Sequence, residues 1–176
     1  MTDRLSRPVL QTRRLVLREL VLDDAPFILE LLNEPAFIRF IGDRGVRDIA
    51  SAQDYLAKGP LASYARHGFG LWLVQKIDSQ ESIGICGLLK RETLPDMDIG
   101  YAFLARFRSQ GYAFESACAV KNHAMHSLAL KRLLGVTDQD NAMSIKVLEK
   151  IGLKYERLVK LSEDGPELML FAAAYP

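Results

Sequence analysis

The stretch Arg108-Ser-Gln-Gly-Tyr-Ala113 joins a segment of strand character to a helix faced with small residues. A helix N-terminus exposes unpaired backbone N–H groups and carries about half a positive charge from its dipole. Gly111 allows close approach of the backbone, Ala113 adds little bulk, and Arg106 and Arg108 bring mobile positive charge. Those residue types at that spacing suit a pyrophosphate. A glycine at such a junction also serves as a plain turn, and both readings stand at this point. The segment is neither a P-loop nor a dinucleotide fingerprint, because GxxxxGK[ST] and GxGxxG are both absent. Further on, Asn141 suits the N-cap of a second helix, with Ser144 one turn later at the same end.

Other chemistries find little support. His123 and His126 lie three apart on a helix without a third ligand, so no metal site is expected. No G-x-S-x-G elbow occurs. Cys86 and Cys118 sit in apolar segments and read as reduced core residues. Trp72 reads as core, and His67 as the end of a helix. Lys plus Arg (23) nearly balances Asp plus Glu (22), a net charge of +1, so no bulk field recruits nucleic acid or anionic lipid. No apolar run approaches the roughly 20 residues of a bilayer span. The opening MTDRLSRPVLQTRRL lacks the apolar core of a signal peptide. A cytoplasmic location is the expectation.

The elements that must position these residues read as one α/β domain over 1–176, consistent with 49% hydrophobic and 26% charged residues. A strand is expected at 15–20. A helix follows with Asp23 as N-cap, Pro26 in its first turn and Phe27, Ile28, Leu31 and Leu32 buried, ending at Pro35. Residues 37–41 are too short to classify. Helix returns from Asp48, is interrupted at Gly59-Pro60, and resumes over 64–67. A hairpin of strands 69–76 and 82–89 comes next, then a strand at 98–104. Helix 111–128, strand 132–137 and helix 141–151 follow, with Gly152 just past the last. Strands 154–161 and 167–174 flank a turn at 162–166.

In this order the sequence resembles the GNAT superfamily of N-acetyltransferases, and within it the RimJ/RimL-like branch of ribosomal-protein N-terminal acetyltransferases. The resemblance covers roughly 8–175. It rests on Leu10-Gln-Thr-Arg-Arg-Leu-Val-Leu-Arg-Glu19 with Asp23-Asp24, on Ile99-Gly-Tyr101, and on Arg108-Ser-Gln-Gly-Tyr-Ala113, which matches the [QR]-x-x-G-x-[GA] loop. The fourth segment is Asn141-Ala-Met-Ser144 running to Gly152, which matches the Asn-x-x-Ser…Gly helix. The loop and that helix together are far more specific than either alone.

The resemblance implies a mixed, mostly antiparallel sheet with helices on both faces and a parallel pair that splays apart to admit the pantetheine arm of acetyl-CoA. Here the pair is 98–104 and 132–137. Backbone groups near Phe103 and Leu104 would meet the pantetheine amides. The N–H groups of Ser109, Gln110, Gly111, Tyr112 and Ala113 would hold the pyrophosphate, and Asn141 would touch the arm. Arg106, with Lys146 and Lys150, would meet the 3′-phosphate or remain solvated. Ser109 stands where the branch usually has glycine, which a negative φ would tolerate. Many relatives carry a tyrosine, as acid for the departing thiolate, at the position of Leu148. Ser144 is the natural substitute, with a plain helix-surface serine as the alternative.

Asp98 stands where relatives often have a glutamate base, and Glu92, Asp96 and Asp138 are further candidates. Neutralising an α-amine of pKa near 7.7–8.0 costs only about 0.4–0.8 kcal/mol near pH 7.4, against about 4 kcal/mol for a lysine. A modest base therefore suffices for an α-amine. Two function classes follow. One is an N-acetyltransferase using acetyl-CoA and no metal, acting on a primary amine by direct attack in a ternary complex. Its acceptor would be a peptide N-terminus, a polyamine or another small molecule. The other is a non-catalytic acyl-CoA-binding sensor or interaction module. No nucleic acid or membrane partner is expected, and the chain would act as a monomer or homodimer.

Overall fold

Period-two alternation starts the sheet: in β2 (Leu15–Glu19), Leu15 and Leu17 are fully buried while Val16 and Arg18 turn the other way. The structure, a computed structural model, describes residues 8–175. The expectation of no leader, where it falls on residues 1–7, lies outside the described residues. A strand that the sequence did not announce, β1 (Pro8–Gln11), pairs with β2 at the sheet edge. The remaining strands are β3 (Leu71–Lys76), β4 (Ser82–Leu89), β5 (Asp98–Phe103), β6 (Arg132–Thr137), β7 (Lys154–Val159) and β8 (Leu168–Ala174). They form one sheet in the order β1-β2-β3-β4-β5-β6-β8-β7. Every neighbouring pair is antiparallel except β5 and β6.

Helices α5 (Tyr112–His126) and α6 (Ala142–Lys150) cover one face, where Ala117, Val120, Ala124 and Leu148 pack with Trp72, Cys86 and Ile99. Small residues on α5 let it lie close to the strands, as their spacing suggested. On the other face, α1 (Ala25–Leu32) and α3 (Ile49–Leu56) bring Ile28, Leu31, Ala52 and Leu56 against Leu73 and Ile85. Among the described residues no helix is long and apolar enough to cross a membrane.

Three local expectations need correcting. Asp23 is not the cap of α1. A short 3-10 turn at Leu22–Asp24 precedes the helix, and Asp24 occupies the N-cap position. Its carboxylate is engaged elsewhere, by the Val21 N–H (2.8 Å) and by two nitrogens of Arg18 (2.8 and 2.9 Å). Pro35 does not only stop α1; its fixed φ also opens α2 (Pro35–Phe40), which takes in most of the unclassified 37–41 stretch. Gly59-Pro60 does not interrupt the helix either. A π-helical segment, Ala57–Leu61, carries the chain from α3 into α4 (Ala62–His67), since the wider turn accommodates the proline that lacks an N–H.

Candidate active site

The parallel pair is the feature from which the site is built. β5 pairs with β6 only at Asp98↔Leu134 and Ile99↔Gly135, so the strands part from Gly100 onward. Opposite, β5 stays paired with β4 as far as Gly84↔Phe103. The Leu104 N–H donates to Ile83 (3.1 Å) and its carbonyl accepts from Phe107 (3.0 Å). Backbone direction alternates along an antiparallel strand, so Ala102 and Leu104 serve β4. Tyr101 and Phe103 therefore turn their peptide groups toward the opening. Of the two backbone positions expected to face it, Phe103 does so and Leu104 does not. The Phe103 carbonyl already accepts from Arg108 Nε (2.9 Å), which leaves its N–H.

Beyond Phe103 a short 3-10 turn, Ala105–Phe107, leads into the loop. Ser109 and Gly111 both take left-handed conformations, with φ of 60° and 82°. The condition under which a non-glycine residue is easily tolerated there, a negative φ, is not met at Ser109. The turn demands the left-handed region there, at a cost of about 1–2 kcal/mol for a residue with a Cβ. Among the described residues no acceptor takes up the backbone N–H groups of Ser109, Gly111, Tyr112 and Ala113, while that of Gln110 closes the turn at 108–109. Successive free donors beside a helix N-terminus form an anion-binding concavity.

The loop is braced from behind. Arg14 donates to the Gln110 carbonyl (3.1 Å) and to Glu115 (2.6 Å), and its guanidinium lies 4.5 Å from the centre of the Tyr112 ring. Glu115 also accepts from Thr12 Oγ1 (2.6 Å) and the Arg14 N–H (2.9 Å). Gln110 Nε2 closes the loop on the Arg106 carbonyl (2.9 Å). Tyr112 is buried, so only its backbone serves the concavity, whereas Ala113 is half-buried. Arg106 and Arg108 are not the mobile charges expected. Arg106 pairs with Glu30 (2.5 Å) and Arg108 with Glu34 (3.4 Å), tying the loop to the α1–α2 layer. The first pair is about half exposed on both sides, so exchanging Glu30 for another anion costs little.

Across the opening, Asn141 caps α6 as its position suggested, its Oδ1 accepting from the Ser144 N–H (3.2 Å). Leu148 is buried against Gly135, where a Cβ would sit 2.5 Å from Leu148 Cδ2. A tyrosine hydroxyl has no place in that packing. Ser144 instead meets the hydroxyl of Tyr101, 2.9 Å from its Oγ and 3.1 Å from its carbonyl. Sequence reasoning placed Tyr101 on the strand but gave it no task. Period two already turned it away from Asp98, toward the helix that carries Ser144.

Asp98 lies on the opposite face with Gly100 and Ala102, and is 1% exposed. Both its oxygens accept from Arg91 Nε, at 3.0 and 3.1 Å, a partner that the sequence did not reveal. Burial nonetheless outweighs Arg91 and pushes the carboxyl up to about 6. Of the other carboxylates, Asp96 pairs with Arg132 (3.2 Å), Asp138 accepts from the Asp140 N–H (2.8 Å), and Glu92 is exposed. Among the described residues no group of His, Cys, Asp and Glu is arranged to hold a metal.

The raised Asp98 carboxyl has a measurable consequence. A folded-state value above the unfolded one means that the native state binds the extra proton. Stability is therefore greatest below about pH 4 for this group and falls as pH rises through about 6, by on the order of 1–3 kcal/mol. Asp98→Asn should flatten the fall in Tm between pH 4 and 6.5. An unchanged slope in that variant would assign the fall to other groups.

The Acetyltransferase (GNAT) domain model matches residues 14–154. The chain belongs to the GNAT acetyltransferase family. The uncharacterized N-acetyltransferase YoaA of Bacillus subtilis (strain 168) is 25% identical over 154 residues, 87% of this chain and 86% of its own. The acetyltransferase of Agrobacterium tumefaciens str. C58 superimposes with a TM-score of 0.81 at 25% identity over 99% of both chains. The RimL ribosomal alpha-N-protein acetyltransferase, solved in complex with coenzyme A, gives a TM-score of 0.81 at 18% identity over 96% of this chain and 98% of that one. At that identity the likeness is one of fold. It agrees with the RimJ/RimL-like arrangement read from the sequence.

Proposed function

We propose that this GNAT protein transfers the acetyl group of acetyl-CoA to a primary amine, foremost the α-amine of a peptide N-terminus, by direct attack in a ternary complex. The observation that carries the reading is the parting of β5 from β6 at Gly100, with free loop donors at one end and Ser144 beside it. The residues present fit the coenzyme. The Phe103 N–H is free to pair with a pantetheine amide, residues 109 and 111–113 offer their N–H groups to a pyrophosphate, and Asn141 stands at the start of α6. When bound, acetyl-CoA supplies a thioester whose thiolate is a good leaving group.

The chain's own residues set the direction of transfer. Asp98 and Ser144 lie on opposite faces of the sheet, so an amine entering from the Asp98 side attacks while sulfur departs on the Ser144 side. Asp98, buried and held by Arg91, can take a proton only through a water, and its carboxyl, at about 6, still lies below the pKa of an α-amine, which makes it a modest base. That suits an α-amine, whose neutral form is already well populated near pH 7.4, better than a lysine or polyamine. The net charge of +1 offers no field to gather a polycation. With its cysteines unpaired, the protein fits a reducing cytoplasm, as one domain acting alone or as a homodimer.

A screen of thiol release from acetyl-CoA across amines and N-terminal peptides tests the reading. Peptides should outrun spermidine in kcat/KM, with rates rising through the acceptor's own α-amino pKa. Robust spermidine acetylation without peptide activity would reverse the acceptor assignment, and no thiol release with any amine would overturn the reading as a whole.

A further inference from the structure

The hydroxyl of Tyr101 is a polar group at the opening that acetyl transfer through Ser144 and Asp98 does not itself use. Tyr101 stands on β5 where that strand leaves β6, and its ring reaches across to the first turn of α6. The side chain is largely buried, flanked by core residues of the α5–α6 face. There its hydroxyl meets two polar atoms of Ser144, the carbonyl oxygen at 3.1 Å and Oγ at 2.9 Å. The backbone of Ser144 is fixed independently, by Asn141 accepting its N–H. Only the Ser144 side chain therefore depends on Tyr101 for its orientation.

We infer that Tyr101 is a positioning residue for acetyl transfer: its single O–H proton, within reach of the Ser144 carbonyl and Oγ alike, goes to the nearer Oγ, so that the serine proton points into the opening at the departing sulfur. The inference rests on the acetyl-transfer reading with Ser144 as the group that receives the leaving thiolate. Without Tyr101, the Ser144 hydroxyl is free to turn its proton elsewhere, and its bond to sulfur must be formed at the moment of reaction rather than beforehand. Donors aimed in advance cost no reorganisation in the transition state.

The step balances without further reactants. The amine nitrogen forms the bond to the acetyl carbon, the C–S bond breaks, and its electron pair goes to sulfur. The sulfur then accepts a hydrogen bond from Ser144 Oγ–H, while the amine's proton leaves through water. Tyr101 keeps its proton throughout. Burial disfavours the tyrosinate and holds the phenol above its ordinary range, so Tyr101 orients the serine and does not feed a proton through it.

Tyr101→Phe removes the hydroxyl and keeps the ring, so the core packing is preserved. In this variant kcat should fall roughly 10–100-fold with KM for acetyl-CoA within about twofold. The Tyr101→Phe/Ser144→Ala double variant should be no slower than Ser144→Ala alone, since both changes remove one donor. A binding readout complements the rates: calorimetric affinity for CoA relative to desulfo-CoA, across pH 7–9. The wild type should favour CoA increasingly as the thiol ionises, and Tyr101→Phe should lose most of that preference. A residue that merely braced the strand would shift Tm and leave the discrimination intact.

Wild-type kcat and discrimination in Tyr101→Phe, with Ser144→Ala impaired, would overturn this inference alone. Additive losses in the double variant would also overturn it. Wild-type turnover in Ser144→Ala would remove the Ser144 role and this inference together, leaving acetyl transfer standing.

Discussion

Replacing Ser144 by alanine is expected to lower kcat by roughly 10–1000-fold, the range found for single acid–base or charge-stabilising groups. Affinity for acetyl-CoA should hardly change. The structure explains why the effect should be so selective. Asn141 caps α6 through the Ser144 backbone N–H, which alanine retains, so the helix start survives. Tyr101 keeps the Ser144 carbonyl as an acceptor, so no buried hydroxyl is orphaned. What disappears is the Ser144 hydroxyl beside the opening, the group placed to donate to departing sulfur. A CoA thiolate leaves even without a strong acid, so the loss should stop well short of abolishing turnover. Steady-state kinetics with varied acetyl-CoA separate kcat from KM, and wild-type turnover would leave Ser144 a helix-surface residue.

Much of this site was legible because local rules and tertiary structure agree. Gly111 ahead of an alanine-faced helix, and Asn141 three residues before Ser144, carry their meaning in their own spacing. Period two in 98–104 placed Asp98 on one face with Gly100 and Ala102. What stayed hidden depends on partners far away in the chain. The Arg14–Glu115 brace joins residues 101 apart in sequence, and Arg106 reaches Glu30 across 76. No local pattern distinguishes a tethered arginine from a mobile one, so both loop arginines read as free. The left-handed Ser109 was missed for a related reason: serine occupies that region only where the surrounding turn over-determines it. Edge strand β1 is four residues with little alternation, below what a periodic signal can reveal. Tyr101 is the instructive case, since its face followed from alternation but its partner followed only from how α6 returns over β6.

Valine at position 111 should abolish coenzyme binding while leaving a folded protein. Binding to the native state alone adds RT ln(1 + [L]/Kd), roughly 2.7 kcal/mol at a hundredfold excess. For a chain of this size that corresponds to a rise in Tm of roughly 5–10 °C for the wild type with millimolar acetyl-CoA. Gly111 has φ of 82°, a region that a β-branched side chain enters only under strain. A Cβ there would also come within 3.3 Å of an Arg14 guanidinium nitrogen, the group that holds the Gln110 carbonyl. Relief requires the loop to turn, and turning it scatters the N–H groups of residues 109 and 111–113 that face the pyrophosphate. The strain itself is about 1–3 kcal/mol, within the 5–15 kcal/mol that keeps a typical domain folded. Circular dichroism should therefore show a native variant with a lower Tm that acetyl-CoA no longer raises. A Gly111→Val protein protected as strongly as the wild type would place the phosphates elsewhere. No protection of the wild type itself would mean that this opening does not take the coenzyme.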